Sequence, residues 1–144
     1  MYTQYMSVTE ACKRIALPLS RFSIFTIYFW FGFLKLFDLS PANPLVESLL
    51  SKTLPFVGFN QFIIFLGLWE MVIGIVFLIP KLEKVAITIL FLHTITTFTP
   101  LLLLPLIAWK SFLVPTLEGQ YMIKNLITIA LAVNIVSQAK TNNK

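Results

Sequence analysis

At 144 residues the chain is long enough for one domain and no more. It is 58% hydrophobic and 12% charged, against roughly 25% charged residues in a soluble domain, which excludes an ordinary water-facing surface. The net charge of +5 does not indicate nucleic acid, because the 11 Lys and Arg residues stand singly or in pairs at the ends of apolar segments, not in one basic patch.

The N-terminal segment 1–16 reads as a polar tail. It holds Cys12, the one cysteine, so neither an internal disulfide nor a C-x-x-C exchange motif is possible. Lys13, Arg14 and Arg21 ahead of an apolar run mimic a signal peptide. The bulky, aromatic stretch from Phe31 to Ser40 offers no small-residue cleavage site, so this segment is expected to stay as a first membrane span. That span runs from about Leu17 to Phe37, close to the 20 or so residues a bilayer needs.

Asn43-Pro44 then reads as a helix start, a cap followed by proline in the first turn. Leu45, Val46, Leu49 and Leu50 fall on one side of it, giving a short amphipathic helix suited to the membrane interface. A second span is expected from about Phe59 to Ile79, a tight turn at 80–84, a third span from about Val85 to Leu104, and a fourth from about Tyr121 to Gln138. The connection from Pro105 to Gln120 carries Trp109, an interfacial anchor. Residues 17–138 thus predict an all-α, four-transmembrane-helix bundle, with 139–144 as a C-terminal tail.

Orientation follows from the basic residues. Arg21, the N-terminal tail, the turn at Lys81 and Lys84, and the tail with Lys140 and Lys144 carry seven, while Lys35, Lys52, Lys110 and Lys124 make four on the other side. The positive-inside rule places both termini in the cytoplasm.

Ionisable groups at bilayer depth cost about 2.5–3.5 kcal/mol each at a helix centre, so each needs a partner or a purpose. On the first span Arg21, Phe25, Tyr28, Gly32 and Lys35 share one face. Arg21 and Lys35 lie near opposite ends. Lys35 is placed either to snorkel or to act internally, whereas Arg21 is expected to find an internal partner. On the second span Glu70 sits between Gly67 and Gly74, small residues that let helices approach closely. His93 on the third span is at similar depth, about 12 Å against about 14 Å for Glu70 at 1.5 Å per residue. The expected intramembrane polar site therefore comprises Arg21, Tyr28, Glu70, His93 and Thr97, with Arg21 reaching the Glu70 carboxylate from the cytoplasmic side. Glu70 either fixes helix packing or serves a substrate or proton. His93 could equally be satisfied by Thr96 and Thr97. Pro100 removes a backbone donor and frees the Thr96 carbonyl, distorting the outer end of its helix.

Several chemistries fail for lack of parts. Bis-histidine haem ligation needs two histidines, a zinc site needs more ligands than one Cys and one His, and neither a Walker loop nor G-x-G-x-x-G is present. No Ser–His–acid set with a nucleophile elbow can be assembled, so catalytic residues, metal and cofactor are all expected to be none.

The stretches Arg21, Phe29-Trp30-Phe31-Gly32-Phe33-Leu34-Lys35, Leu68-Trp69-Glu70-Met71-Val72-Ile73-Gly74, Thr97-Phe98-Thr99-Pro100 and Pro115-Thr116-Leu117-Glu118-Gly119-Gln120-Tyr121-Met122-Ile123-Lys124-Asn125 resemble the bacterial DoxX-like membrane proteins. The resemblance covers roughly residues 21–132. It implies a four-helix bundle in the plasma membrane. It also implies an association with thiosulfate oxidation linked to quinone reduction, with oxidative or chlorine stress, and with soluble redox enzymes as partners. The positions carried over are Arg21, Gly32, Lys35, Glu70, Pro100, Glu118, Gly119, Lys124 and Asn125. They suggest an outer-mouth cluster of Lys35, Glu118, Lys124 and Asn125, with Glu118 paired to Lys35 or Lys124, and a packing set of Gly32, Gly67, Gly74 and Pro100. Any thiol chemistry of relatives is not carried over, since a cysteine pair is lacking.

The expected role is a membrane subunit or scaffold of a redox or stress-response assembly without catalysis of its own, its partners being the lipid bilayer and other redox or stress proteins. The alternative is a binder or converter of a small apolar substrate, a quinone or sulfur species. A transporter stands third, since no internal repeat is found.

Overall fold

The chain was analysed as a computed structural model, which describes residues 7–141. Residues 1–6 and 142–144, which belong to the two expected tails and include Lys144, lie outside the described residues. The elements in order are α1 (Val8–Leu36), α2 (Asn43–Thr53), α3 (Phe59–Leu78), α4 (Glu83–Leu103), α5 (Pro105–Ala108), β1 (Trp109–Ser111), β2 (Val114–Pro115) and α6 (Leu117–Thr141). Helices α1, α3, α4 and α6 are each long and apolar enough to cross a membrane, so the all-α bundle of a multi-pass membrane protein is the architecture observed.

The start of α1 departs from expectation. The polar segment read as a tail is helical from Val8, because Ser7 and Glu10 form a capping box that satisfies two end amides reciprocally. Cys12 is therefore an exposed helical residue. The other end of α1 closes in a Schellman arrangement: Leu39 N–H donates to the Leu34 carbonyl at 3.0 Å and Asp38 N–H to that of Lys35 at 3.3 Å. Asp38 takes the left-handed conformation this requires, φ 55°. Its carboxylate accepts from Asn43 Nδ2 at 2.6 Å, fastening the end of α1 to the start of α2. Asn43 thus begins α2 with Pro44 as read from sequence, but its side chain secures α1 instead of capping its own helix.

Helix α1 packs most closely on α3, and also on α6; α4 packs on α3 and α6. Helices α1 and α4 face each other across the bundle, where the Tyr28 ring meets the edge of His93. The intimacy of α1 and α3 has a residue-level cause. A Cβ at Gly32 would stand 2.5 Å from the Gly67 carbonyl oxygen, and one at Gly67 would stand 2.7 Å from that of Gly32. Small residues at this crossing bring the backbones together where lipid supplies no hydrophobic drive for association. Gly74 meets the α1 backbone at Phe25 and Phe29 in the same way.

The four spanning helices each give two residues to a buried apolar cluster: Ile24 and Tyr28, Ile73 and Phe77, Ala86 and Leu90, Ala132 and Ile135. This plug fills the half of the bundle nearer the chain termini. At the opposite end, the stretch 105–116 is more structured than a loop: α5 leads into the antiparallel pair β1–β2, in which Trp109 faces Pro115. Pro105 has no N–H to offer the Leu101 carbonyl, and the Trp109 indole N–H takes that place at 2.9 Å. Lys52 of α2 caps the adjacent Leu103 carbonyl. Pro100 lies buried within α4, and the helix continues past it to Leu103.

Candidate functional site

On the connector side of the plug lies a buried polar layer. Lys35 of α1, Glu70 of α3 and His93 of α4 are 5%, 7% and 8% exposed. Lys35 Nζ donates to Glu70 Oε2 at 2.6 Å, and His93 Nε2 lies 3.5 Å from Glu70 Oε1. Thr94 and Thr128 are buried nearby in sequence, on α4 and α6.

Helix geometry explains why these groups meet. Side chains tilt toward the N-terminus of their helix. Lys35, on the last turns of α1, therefore reaches back toward the bundle centre, while Glu70, on the antiparallel α3, leans the other way to meet it. Gly67 gives the lysine stem its room: its Cβ position is 3.2 Å from Lys35 Cβ. Buried charges with opposite signs in hydrogen-bond contact offset a desolvation cost that neither could bear alone. Lys35 consequently does not snorkel.

Arg21 is not the partner of Glu70. It lies fourteen residues before Lys35, about 21 Å along the helix axis, and its side chain tilts toward the terminus-bearing end. There Nη1 donates to the Phe77 carbonyl at 2.8 Å and Nη2 to Glu83 Oε1 at 2.5 Å. Arg21 thus caps the C-terminus of α3 and ties α1 to the first turn of α4. Glu83 also accepts from the Lys81 N–H at 3.1 Å, holding the turn in which Lys81 has φ 74°. Glu83 was not singled out from the sequence, although an acidic residue in the first turn of a helix, opposite a basic one at the same depth, was a readable signal.

The remaining expectations divide. Tyr28 packs edge-on against His93 with ring centroids 5.4 Å apart. Thr96 and Thr97 both donate to the His93 carbonyl, at 2.6 and 3.1 Å, so their hydroxyls serve the backbone and not the imidazole. His93 Nδ1 is fully buried with no hydrogen-bond partner, as is Asn43 Oδ1. The outer-mouth cluster does not assemble: Lys35 belongs to Glu70, Glu118 is exposed, Lys124 stands over the Tyr121 ring at 5.4 Å, and Asn125 donates to the Tyr121 carbonyl at 3.4 Å. Charges that can reach water at a helix end have no need to pair. The neighbouring Thr116 instead caps α6, accepting from Gly119 N–H at 3.1 Å and donating to the Ile107 carbonyl at 2.6 Å. Among the described residues no group of three His, Cys, Asp or Glu is placed to hold a metal ion.

Comparison with protein-family models, with curated proteins and with solved structures finds no match to this chain.

Proposed function

We propose that this chain is a DoxX-like protein of the plasma membrane. Both termini face the cytoplasm, α2 lies at the outer interface, and the protein serves a redox or oxidative-stress assembly as an integral subunit without catalysis of its own. The reading is supported by the Lys35–Glu70 pair at 2.6 Å in the middle of the bundle. The two charges spend their strongest interactions on each other and clamp α1 to α3, as a rigid membrane platform requires, and no nucleophile stands beside them. The motif residues shared with DoxX-like proteins supply the redox association. Purification of the tagged chain in mild detergent should yield one cofactor-bearing redox partner at fixed stoichiometry. A clean, partner-free protein across several extractions would rule the subunit reading out.

A second reading, a binder of a small apolar molecule such as a quinone or sulfur species, is favoured by one observation. His93 Nδ1 lies buried beside the ion pair without a partner. Such a site, apolar with a few convergent polar groups, has the chemistry of a ligand pocket. Glu70→Gln and His93→Ala should then abolish ligand binding by a bundle that still folds; simple loss of folding would assign both residues to structure.

A further inference from the structure

We propose that His93 Nδ1 is the recognition atom of an intramembrane subsite for an uncharged molecule with an apolar body and one O–H or N–H group. This rests on the small-molecule reading above and specifies the ligand's chemistry.

The tautomer follows from contact. Nε2 faces a carboxylate oxygen of Glu70 at 3.5 Å. Two lone pairs pointed at each other would repel, so Nε2 carries the hydrogen and Nδ1 presents a lone pair. That lone pair accepts nothing from the protein. The donors nearest in sequence are committed elsewhere: Thr94 to the Leu90 carbonyl, Thr96 and Thr97 to the carbonyl of His93 itself. Tyr28 approaches the imidazole as a ring, edge to face, and forms one wall. The site thus asks for a donor from outside the chain.

Charge balance excludes ions. Lys35 and Glu70 already cancel, and an additional charge at this depth would be unpaired in hydrocarbon. The apolar body follows from the surroundings, since Tyr28, Ile73 and Leu90 of the buried cluster lie on the same three helices within a turn of the site.

The chain has one histidine, so isotope labelling of histidine nitrogen gives a single imidazole to observe by NMR in the full-length protein in detergent micelles. The probes are para-butylphenol and its methyl ether, which share the apolar body but differ in the O–H. The phenol should move the Nδ1 signal saturably in the direction of an accepted hydrogen bond. The ether should leave the signal in place and bind about tenfold more weakly, the worth of one net hydrogen bond. Equal binding of both probes, or saturation by the phenol with Nδ1 unmoved, overturns the hydrogen-bond assignment while leaving a small-molecule pocket. No saturable binding of either probe overturns the pocket as well. An Nδ1 signal already at its hydrogen-bonded position in the ligand-free protein, and indifferent to the phenol, would mean ordinary water fills the role, and likewise overturns the proposal. Tyr28→Leu, which removes the wall but not the acceptor, should weaken both probes without restoring parity between them.

Discussion

Replacing Lys35 by Met would leave the Glu70 carboxylate without its one hydrogen bond among the described residues. The remaining neighbour, His93, stands off at 3.5 Å, and the side chains of Lys35 and Glu70 are 5% and 9% exposed, so water does not compensate. Removing one partner of a buried pair costs about 3–5 kcal/mol, because the surviving charge is desolvated and unpaired. Glu70→Gln strands the ammonium instead and should cost a similar amount. The informative case is the double variant, Lys35→Met with Glu70→Gln, which carries no buried charge from either residue. It should be less destabilised than either single variant, reversing the additivity expected of independent sites. Reversible unfolding of the purified chain in mixed micelles, followed by helix content and tryptophan fluorescence, measures all three. Single variants within about 1 kcal/mol of the parent, the size of an exposed ion pair, would refute the reasoning. So would a double variant as unstable as the sum.

Two further outcomes follow from packing and capping. Gly32→Ala forces a methyl group to within 2.5 Å of the Gly67 carbonyl and should cost about 1–3 kcal/mol as an overpacked contact, whereas Gly58→Ala, whose nearest neighbour is 3.9 Å away, should change stability by less than about 0.5 kcal/mol in the same unfolding assay. Arg21→Lys keeps the charge but cannot span the Phe77 carbonyl and Glu83 from two separate nitrogens; it should lose about 1.5–3 kcal/mol, the worth of a charge-assisted hydrogen bond, and a variant as stable as the parent would remove Arg21 from its capping role.

The four spans were legible because each is a run of apolar residues long enough for a bilayer, and the turn at Pro80–Lys84 made α3 and α4 antiparallel neighbours. The helical start at Val8 was legible in principle from Ser7 and Glu10, but polar composition pointed to a tail and the cap outweighed it. The β1–β2 pair was not legible. Two or three residues per strand carry no periodicity, and the hairpin depends on the Thr116 N–H donating to the Ala108 carbonyl at 2.9 Å. Within the site, depth counting brought Glu70 and His93 together but assigned the carboxylate to the wrong cation. Direction decides between them. On α1 every side chain leans toward the terminus-bearing end, which carries Arg21 away from Glu70 onto Phe77 and Glu83 and carries Lys35 inward to meet it. Residue depth is a property of the Cα, whereas the meeting point of a six-atom side chain is displaced by about a turn.

The same geometry explains why packing and electrostatics cannot be separated at this crossing. Lys35 reaches Glu70 only because α1 and α3 are close, and they are close only because Gly32 and Gly67 place carbonyl against α-carbon with no side chain between. A larger residue at Gly67 would meet Lys35 Cβ at 3.2 Å and Leu36 Cδ2 at 3.1 Å, lifting the lysine stem away from α3. The ion pair would then open even though both charged residues remained in the sequence. The connector-end charges show the contrast. Glu118 and Lys124 are exposed and make no ion pair with each other among the described residues, since water already solvates them. Where solvent is excluded, the glycines and the charges form one unit: the close crossing provides the contact, and the contact in turn holds the crossing closed.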